Sequence, residues 1–312
     1  MKDRKQKTVN RGQYSASIFN QKGSAIIITV LIVTILVALV VEFAYEVYID
    51  TAALSNWTNA QKASLIAKSG QTLRFKYIDM IKNDKILSEF EFPVERDLGP
   101  NTQLTIKIED ENAKFNINSI IFEKNGKTNE RNLECLKRLF KYLNINPRLV
   151  LTIADWIDPN NEPREGLSDS EVNVKNTYLL TVDELTLIPG VDKNIYDKLI
   201  PFVTVHGNSL ININTAKLPL LLSLHEDMSE PLAQRIINYR ETTPFENPAD
   251  IVKVQGMQTI GQTLQCDLKW GCIITTKNSS FKIVSKATVN EITRVIESVV
   301  DRSKNIQFWR EQ

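Results

Sequence analysis

Asn20–Glu46, "NQKGSAIIITVLIVTILVALVVEFAYE", is the stretch on which the architecture turns. From Ser24 to Val41 no residue carries a charge. At about 1.5 Å of rise per residue that run makes a helix of roughly 27 Å, just long enough to cross the hydrocarbon core of a bilayer. Ahead of it lie Lys2, Arg4, Lys5, Lys7, Arg11 and Lys22, opposed only by Asp3. Positive charge on the amino side keeps that end cytoplasmic and sends the rest of the chain across the membrane. An ordinary secretory leader fits poorly, because it needs a shorter apolar core and small residues in an A-x-A exit. Here the small residue just past the run, Ala44, follows Glu42 by two positions.

An uncleaved anchor and a cut before the apolar run, after Gly23, both remain, and the residues beyond Val41 weigh toward the cut. No proline precedes Pro93, and Gly70 is the only glycine between Gly23 and Gly99. Ala60, Ala63, Ala67, Gly70, Leu73, Tyr77 and Met80 recur at helical spacing, which predicts an amphipathic helix continuing to about Asn83 and packing on a domain. A simple anchor gives way to a linker sooner. Basic leader, glycine, small residue and retained apolar helix together resemble the processing site of type IV prepilins and pseudopilins. Those families usually carry a glutamate at the fifth mature position. Counted from Ser24, that position is Ile28, and no acid appears before Glu42.

Composition excludes several classes. The formal charge of 312 residues is +1, so no global field draws the chain to nucleic acid. Two histidines, His206 and His225, rule out a histidine-rich metal centre, and the three cysteines match no zinc spacing. Cys266 and Cys272 are near enough in sequence for a local disulfide; buried free thiols fit equally well.

Beyond the helix, "TQLTIKIED" alternates Leu104, Ile106 and Ile108 with Thr105, Lys107 and Glu109, the pattern of a half-buried strand. Phe115, Ile117 and Ile120 begin a second apolar segment. "SFKIVSKATV" and "ITRVIESVVDR" alternate likewise around Asn290-Glu291. Between these strand zones the periodicity is helical, as in "NLECLKRLFKYLNI", "PLLLSLHEDM" and "EPLAQRIINYRE". The expected fold is α+β. A long amino-terminal helix lies on a small antiparallel sheet, interrupted by a mainly helical insertion with helix-hairpin-helix units. The expected divisions are a leader over 1–23, a membrane helix over 24–45, a first pilin-like part over 46–124, the insertion over 125–272 and the closing strands over 273–312.

Within the insertion, "LTIADWIDPNNEPREGLSDSE" crowds Asp155, Asp158, Asn160, Asn161, Glu162, Asp169 and Glu171 among turn-forming Pro159, Pro163 and Gly166. Such an oxygen-rich loop suits a hard cation such as calcium, though its spacing is not that of an EF-hand. A solvated acidic loop has the same composition. "DELTLIPGVDKNIYDKLIPFVTV" and the segment after "ININTA" read as helical hairpins, the second like the duplex-binding hairpins of competence DNA-uptake proteins. Phosphate contact needs a glycine-flanked turn and nearby cations. The second turn, "LHEDMSE", is acidic and lacks glycine, and Thr181 to Val254 holds ten acids against six bases. That balance repels phosphate, so no nucleic acid is expected. Nor does a nucleophile accompany a base, which argues against a tethered hydrolase.

In order along the chain, the glycine-bounded helix lacking its fifth-position acid, "KFNINSI", "ADWIDPNNEP", "VDELTLIPGV", "ININTA", "TPFENPADI" and the last strand ending at Asp301-Arg302 resemble general secretion pathway protein K, the large minor pseudopilin family of type II secretion. The resemblance implies a non-enzymatic subunit at the tip of a short periplasmic pseudopilus. It implies cleavage by prepilin peptidase between Gly23 and Ser24, methylation of the new amine at Ser24, and a single inner-membrane span with a periplasmic carboxyl-terminal domain. Implied partners are other minor pseudopilins, the major pseudopilin and the inner-membrane assembly platform. The missing acid at Ile28 agrees with a tip position, since no subunit sits above. The family also binds calcium in its insertion, which points to Asp155, Asp158, Asn160, Glu162, Asp169 and Glu171. Relatives more often carry a carboxylate where this chain has Ser168, while Asp169 matches.

Overall fold

The computed structural model describes residues 14–73, 78, 88–94, 98–122, 124–164, 174–266, 271–303 and 305–312, with side chains from Gly23 onward. Helix α1 runs from Tyr14 to Thr72. Its portion from Gly23 is the one helix among the described residues long and apolar enough to cross a membrane. Ile26 to Val41 show large apolar side chains that are half exposed or more, the composition lipid favours and water does not. Contacts divide the chain after Gln61 into two units. Among the described residues the first unit holds nothing but α1 up to Gln61.

In the second unit the last turns of α1 lie on an antiparallel sheet. Strands β1 (Glu89–Pro93), β2 (Thr102–Asp110), β7 (Ser280–Val289), β8 (Ile292–Asp301) and β9 (Ile306–Glu311) are arranged in the order β1-β2-β7-β8-β9. Their period-two pattern explains the pairing. Leu104, Ile106 and Ile108 of β2 point to the buried face, as do Phe281, Ile283 and Ala287 of β7 and Ile296 and Val300 of β8, and Ala67 of α1 covers them. Gly70 brings the helix backbone close, since a Cβ there would stand 2.2 Å from Ser285 Oγ. Gln71, 1% exposed, donates from Nε2 to the carbonyls of Ile283 and Ile296 at 3.3 and 3.0 Å, and its Oε1 accepts from Ser298 Oγ at 2.7 Å. A buried amide satisfied on both ends fixes the rotation of the helix on the sheet.

The expected helix to Asn83 holds to Thr72. Leu73 is in a turn, its N–H bonded to Gly70 O at 3.1 Å, and of the expected continuation only Ile78, buried, is described. The expected strands appear as β2, β7 and β8, and the sheet gains β1 and β9 at its edges.

Between β2 and β7 the chain makes a long helical excursion with its own core. Elements in order are β3 (Phe115–Asn116), α2 (Glu130–Tyr142), α3 (Leu149–Ile157), α4 (Lys193–Leu199), β4 (Val203–Thr204), β5 (Ile211–Asn212), α5 (Leu218–Ser223), α6 (Glu230–Thr242), α7 (Gln258–Thr263) and β6 (Ile274–Thr275), with four short 3₁₀ turns interspersed. Helix α2 starts where the Asn129 side chain accepts from Asn132 N, and it turns Leu133, Leu136, Leu139 and Phe140 inward. These pack in one cluster that runs from Phe115 to Ile274. Two parallel ladders, β3 with β4 and β5 with β6, close the excursion onto itself.

A polar knot ties this region to the sheet. Asp110, at the end of β2, accepts from Asn212 Nδ2 at 3.0 Å, Thr215 Oγ1 at 2.8 Å and Asn112 N at 2.9 Å. Asn112 in turn holds the Leu210 carbonyl at 2.8 Å and accepts from Ser279 N at 2.7 Å. Burial pushes the Asp110 carboxyl up to about 6 against those three donors.

Candidate functional site

The acidic loop begins inside α3. That helix buries Val150, Ile153, Ala154 and Ile157, and the same rotation carries Asp155 inward, fully buried. Asp158 caps the helix end, its N–H bonded to Ala154 O at 3.0 Å, and is 1% exposed. Two buried carboxylates three positions apart demand a positive partner. Arg164 supplies it. Its Nη1 pairs with Asp155 Oδ1, its Nη2 lies 2.7 Å from Asp158 Oδ2 and 2.9 Å from Thr128 Oγ1, and its backbone N–H reaches Asp155 Oδ2 at 3.2 Å.

One oxygen stays unsatisfied. Asp158 Oδ1 is buried with no hydrogen-bond partner, and burial raises the Asp158 pKa above the usual carboxylate range although Arg164 opposes it. Across the loop, Asn176 donates its N–H to Trp156 O at 3.1 Å and its Nδ2 to Asn161 Oδ1 at 2.5 Å, leaving its own Oδ1 buried and unpaired. Oxygen atoms without donors are what a hard cation seeks.

Of the expected ligands, the structure brings Asp155 and Asp158 together. Asn160 and Glu162 are exposed, and Asn160 Oδ1 accepts from Glu162 N at 2.7 Å, shaping the turn. Asp169 and Glu171 lie outside the described residues. Among the described residues no three histidine, cysteine or acidic side chains converge. Arg164, Thr128 and Asn176 were not read from the sequence. The one signal was a lone arginine set in a run of acids.

Elsewhere, Gly23 and Ser24 are exposed within α1, and Ile28 is 53% exposed on the same helix. Cys266 and Cys272 form a disulfide, and Arg131 Nη1 donates to the Gln265 and Gly271 carbonyls flanking it at 3.2 and 3.0 Å. The first hairpin is a 3₁₀ turn, Val182–Leu187, followed by α4; the second is α5 followed by α6.

A membrane-length apolar helix carried into an antiparallel sheet, with a helical region spliced between two strands, defines a pilin-like α+β protein. Comparison with known proteins agrees. Two family models, both described as type II secretion system protein K, match residues 113–208 and 211–267. The type II secretion system protein K of Aeromonas hydrophila is 22% identical over 91% of this chain and 94% of its own length. That of Pseudomonas aeruginosa is 23% identical over 65% of this chain and 62% of its own length. That of Dickeya chrysanthemi is 30% identical over 37% of this chain and 35% of its own. In fold, the chain resembles one in the crystal structure of the GspK-GspI-GspJ complex from the enterotoxigenic Escherichia coli type 2 secretion system. The TM-score is 0.65 at 20% identity, covering 84% of this chain and 99% of that one. The chain is thus similar to type II secretion system protein K, by family models over residues 113–208 and 211–267 and by relatives along most of its length.

Proposed function

We infer that this chain works as a minor pseudopilin at the tip of the type II secretion pseudopilus, where it helps initiate or cap assembly for export of folded proteins. The observation that carries the reading is the single helix α1, which supplies an apolar span from Gly23 and then buries Ala63, Ala67 and Gln71 on the sheet. A helix shared between bilayer and domain is the form of a subunit drawn from a membrane into a fibre. In this reading prepilin peptidase cuts between Gly23 and Ser24, the new amine is methylated, and the carboxyl-terminal domain lies in the periplasm. Ile28 in place of an acid suits a subunit that receives no neighbour above it. The role is structural, not enzymatic.

The partners proposed are two further minor pseudopilins, a reading supported by the K-I-J complex in which the similar chain was solved. The test is co-expression of the full chain with the I- and J-type subunits of its own secretion system, followed by detergent extraction and affinity capture. Recovery of all three in fixed ratio is expected; capture of this chain alone at matched expression would refute the assignment.

We also propose that the α3 loop binds calcium. Asp155, the unpaired Asp158 oxygen and the Asn176 oxygen fit a hard cation by donor type and burial. When bound, the ion would neutralise the buried carboxylates and tie the loop to α3. Calorimetric titration of the full chain with calcium checks this directly.

A further inference from the structure

We propose that Arg164 is a built-in counter-cation that competes with a divalent ion for Asp155 and Asp158, so that ion binding expels its guanidinium. This rests on the calcium reading above and adds to it the residue that sets affinity. The geometry makes the two occupants exclusive. Arg164 spends both terminal nitrogens on one carboxylate oxygen each, and neither aspartate is more than 1% exposed. Two carboxylates and one guanidinium leave a net charge of −1, enough to attract a second cation. A divalent ion added beside a retained guanidinium would leave +1 against two aspartates no more than 1% exposed, with both cations drawing on the same pair of carboxylates. Repulsion between them in a poorly screened interior outweighs the gain from keeping both.

Arg164 can leave. Its side chain is 20% exposed, unlike those of the aspartates, and its long stem can carry the head to solvent. Its backbone N–H bond to Asp155 Oδ2 does not depend on the guanidinium. The pairing is also imperfect. Asp158 Oδ1 remains buried without a donor while Arg164 holds Oδ2, so the arginine covers the charge but leaves one of the four oxygens unsatisfied. An ion that takes several oxygen ligands covers the charge and satisfies that oxygen as well.

Competition has a defined thermodynamic form. If the arginine-paired state outweighs the open state by about tenfold, the apparent dissociation constant for the ion is weakened by about tenfold. The test uses the full-length chain in detergent, with calcium chloride as the probe, read by calorimetry and by thermal melting with and without chelator. Arg164→Gln should lower the melting temperature of chelated protein, tighten calcium binding by about tenfold or more, and enlarge the calcium-induced melting shift. Arg164→Lys, which keeps the charge but reaches one oxygen at a time, should fall between the two. Weaker or unchanged calcium binding in Arg164→Gln with the wild type binding normally would overturn the competition and leave the calcium site standing. If neither protein binds calcium, both the site and the competition fail. Should Arg164→Gln not fold, the Lys variant alone decides: tighter binding than wild type supports the proposal and weaker binding refutes it.

Discussion

Asp110 shows how one buried charge can join two parts of a molecule and make the join sensitive to pH. Its pKa of about 6, against an ordinary 3.8, means the folded state takes up a proton more readily than the unfolded chain. Folding therefore gains a proton between those values, and the contribution of Asp110 is most favourable in acid and declines as pH rises toward 6. By about pH 7 keeping the carboxylate charged in the knot costs on the order of 3 kcal/mol relative to its neutral form. Glu109, one residue earlier, behaves oppositely: paired with Lys114 and Lys107 against the cost of burial, it is held down to about 2. Its stabilising contribution is present at neutral pH and lost only in strong acid. The stability difference between Asp110→Asn and wild type should thus shift in favour of the variant by about 2–3 kcal/mol from about pH 4 to pH 7. Denaturant melts at a series of pH values measure it, and a difference that stays flat would show that Asp110 is not the titrating group. At this scale the sequence was only partly legible. Asp155 and Asp158 stood out because oxygen side chains clustered among turn residues. Asp110 looked like the last residue of an alternating strand, and its partners Asn212 and Thr215 lie about a hundred positions away. Arg164 was visible as a charge, but its role depends on the burial of α3, which no local pattern reveals.

Where helix α1 meets the sheet, packing is decided by one glycine and one serine. A Cβ at position 70 would stand 2.2 Å from Ser285 Oγ, 3.2 Å from Leu104 Cδ1 and 3.3 Å from Ser285 Cβ. Alanine is worth about 1 kcal/mol over glycine inside a helix, yet overpacking at such distances costs about 1–3 kcal/mol. Gly70→Ala should therefore lower stability despite the gain in helix propensity. Ser285 is fully buried, and its hydroxyl has no partner. Ser285→Ala should be neutral or stabilising by up to about 1 kcal/mol, and in the double variant it should return part of the Gly70→Ala loss. Chemical denaturation of the four proteins tests this cycle; strict additivity would mean the two positions do not touch as described. The strands paired with this helix were legible in proportion to their length. β2, β7 and β8 repeat the apolar alternation long enough to be read. β9 carries Arg310 and Glu311, which look solvent-facing in sequence and are instead tied to Asp183 and Glu297, and to Ser64 and Lys68. Edge strands held by long-range ion pairs leave no periodic trace. Past Thr72 the backbone turns at Leu73, and of the expected continuation to Asn83 only Ile78, helical and buried, lies among the described residues.

For the molecule as a whole, the decisive question is whether the apolar helix is kept and its leader removed. The structure supplies an unusual control. A side chain added at Gly23 meets nothing within 4 Å, and the residues that follow it on α1 are exposed. Substitution there leaves the packing of the sheet and the helical core untouched, so a change in processing would report recognition by the peptidase, not misfolding. Intact-mass analysis of the membrane fraction should show a mature chain beginning at Ser24, heavier by one methyl group when modified. Gly23→Ala should retain partial cleavage, because the smallest side chain disturbs the protease contact least. Gly23→Leu should abolish cleavage and leave the leader attached, while thermal melting of the sheet and helical region stays at the wild-type value. That separation of outcomes matters because an uncleaved anchor and a retained pseudopilin helix place the same apolar residues in the same bilayer. Only the first residue of the mature chain tells them apart, and a wild-type protein that keeps Met1 in the membrane would remove the basis for assigning it to a fibre.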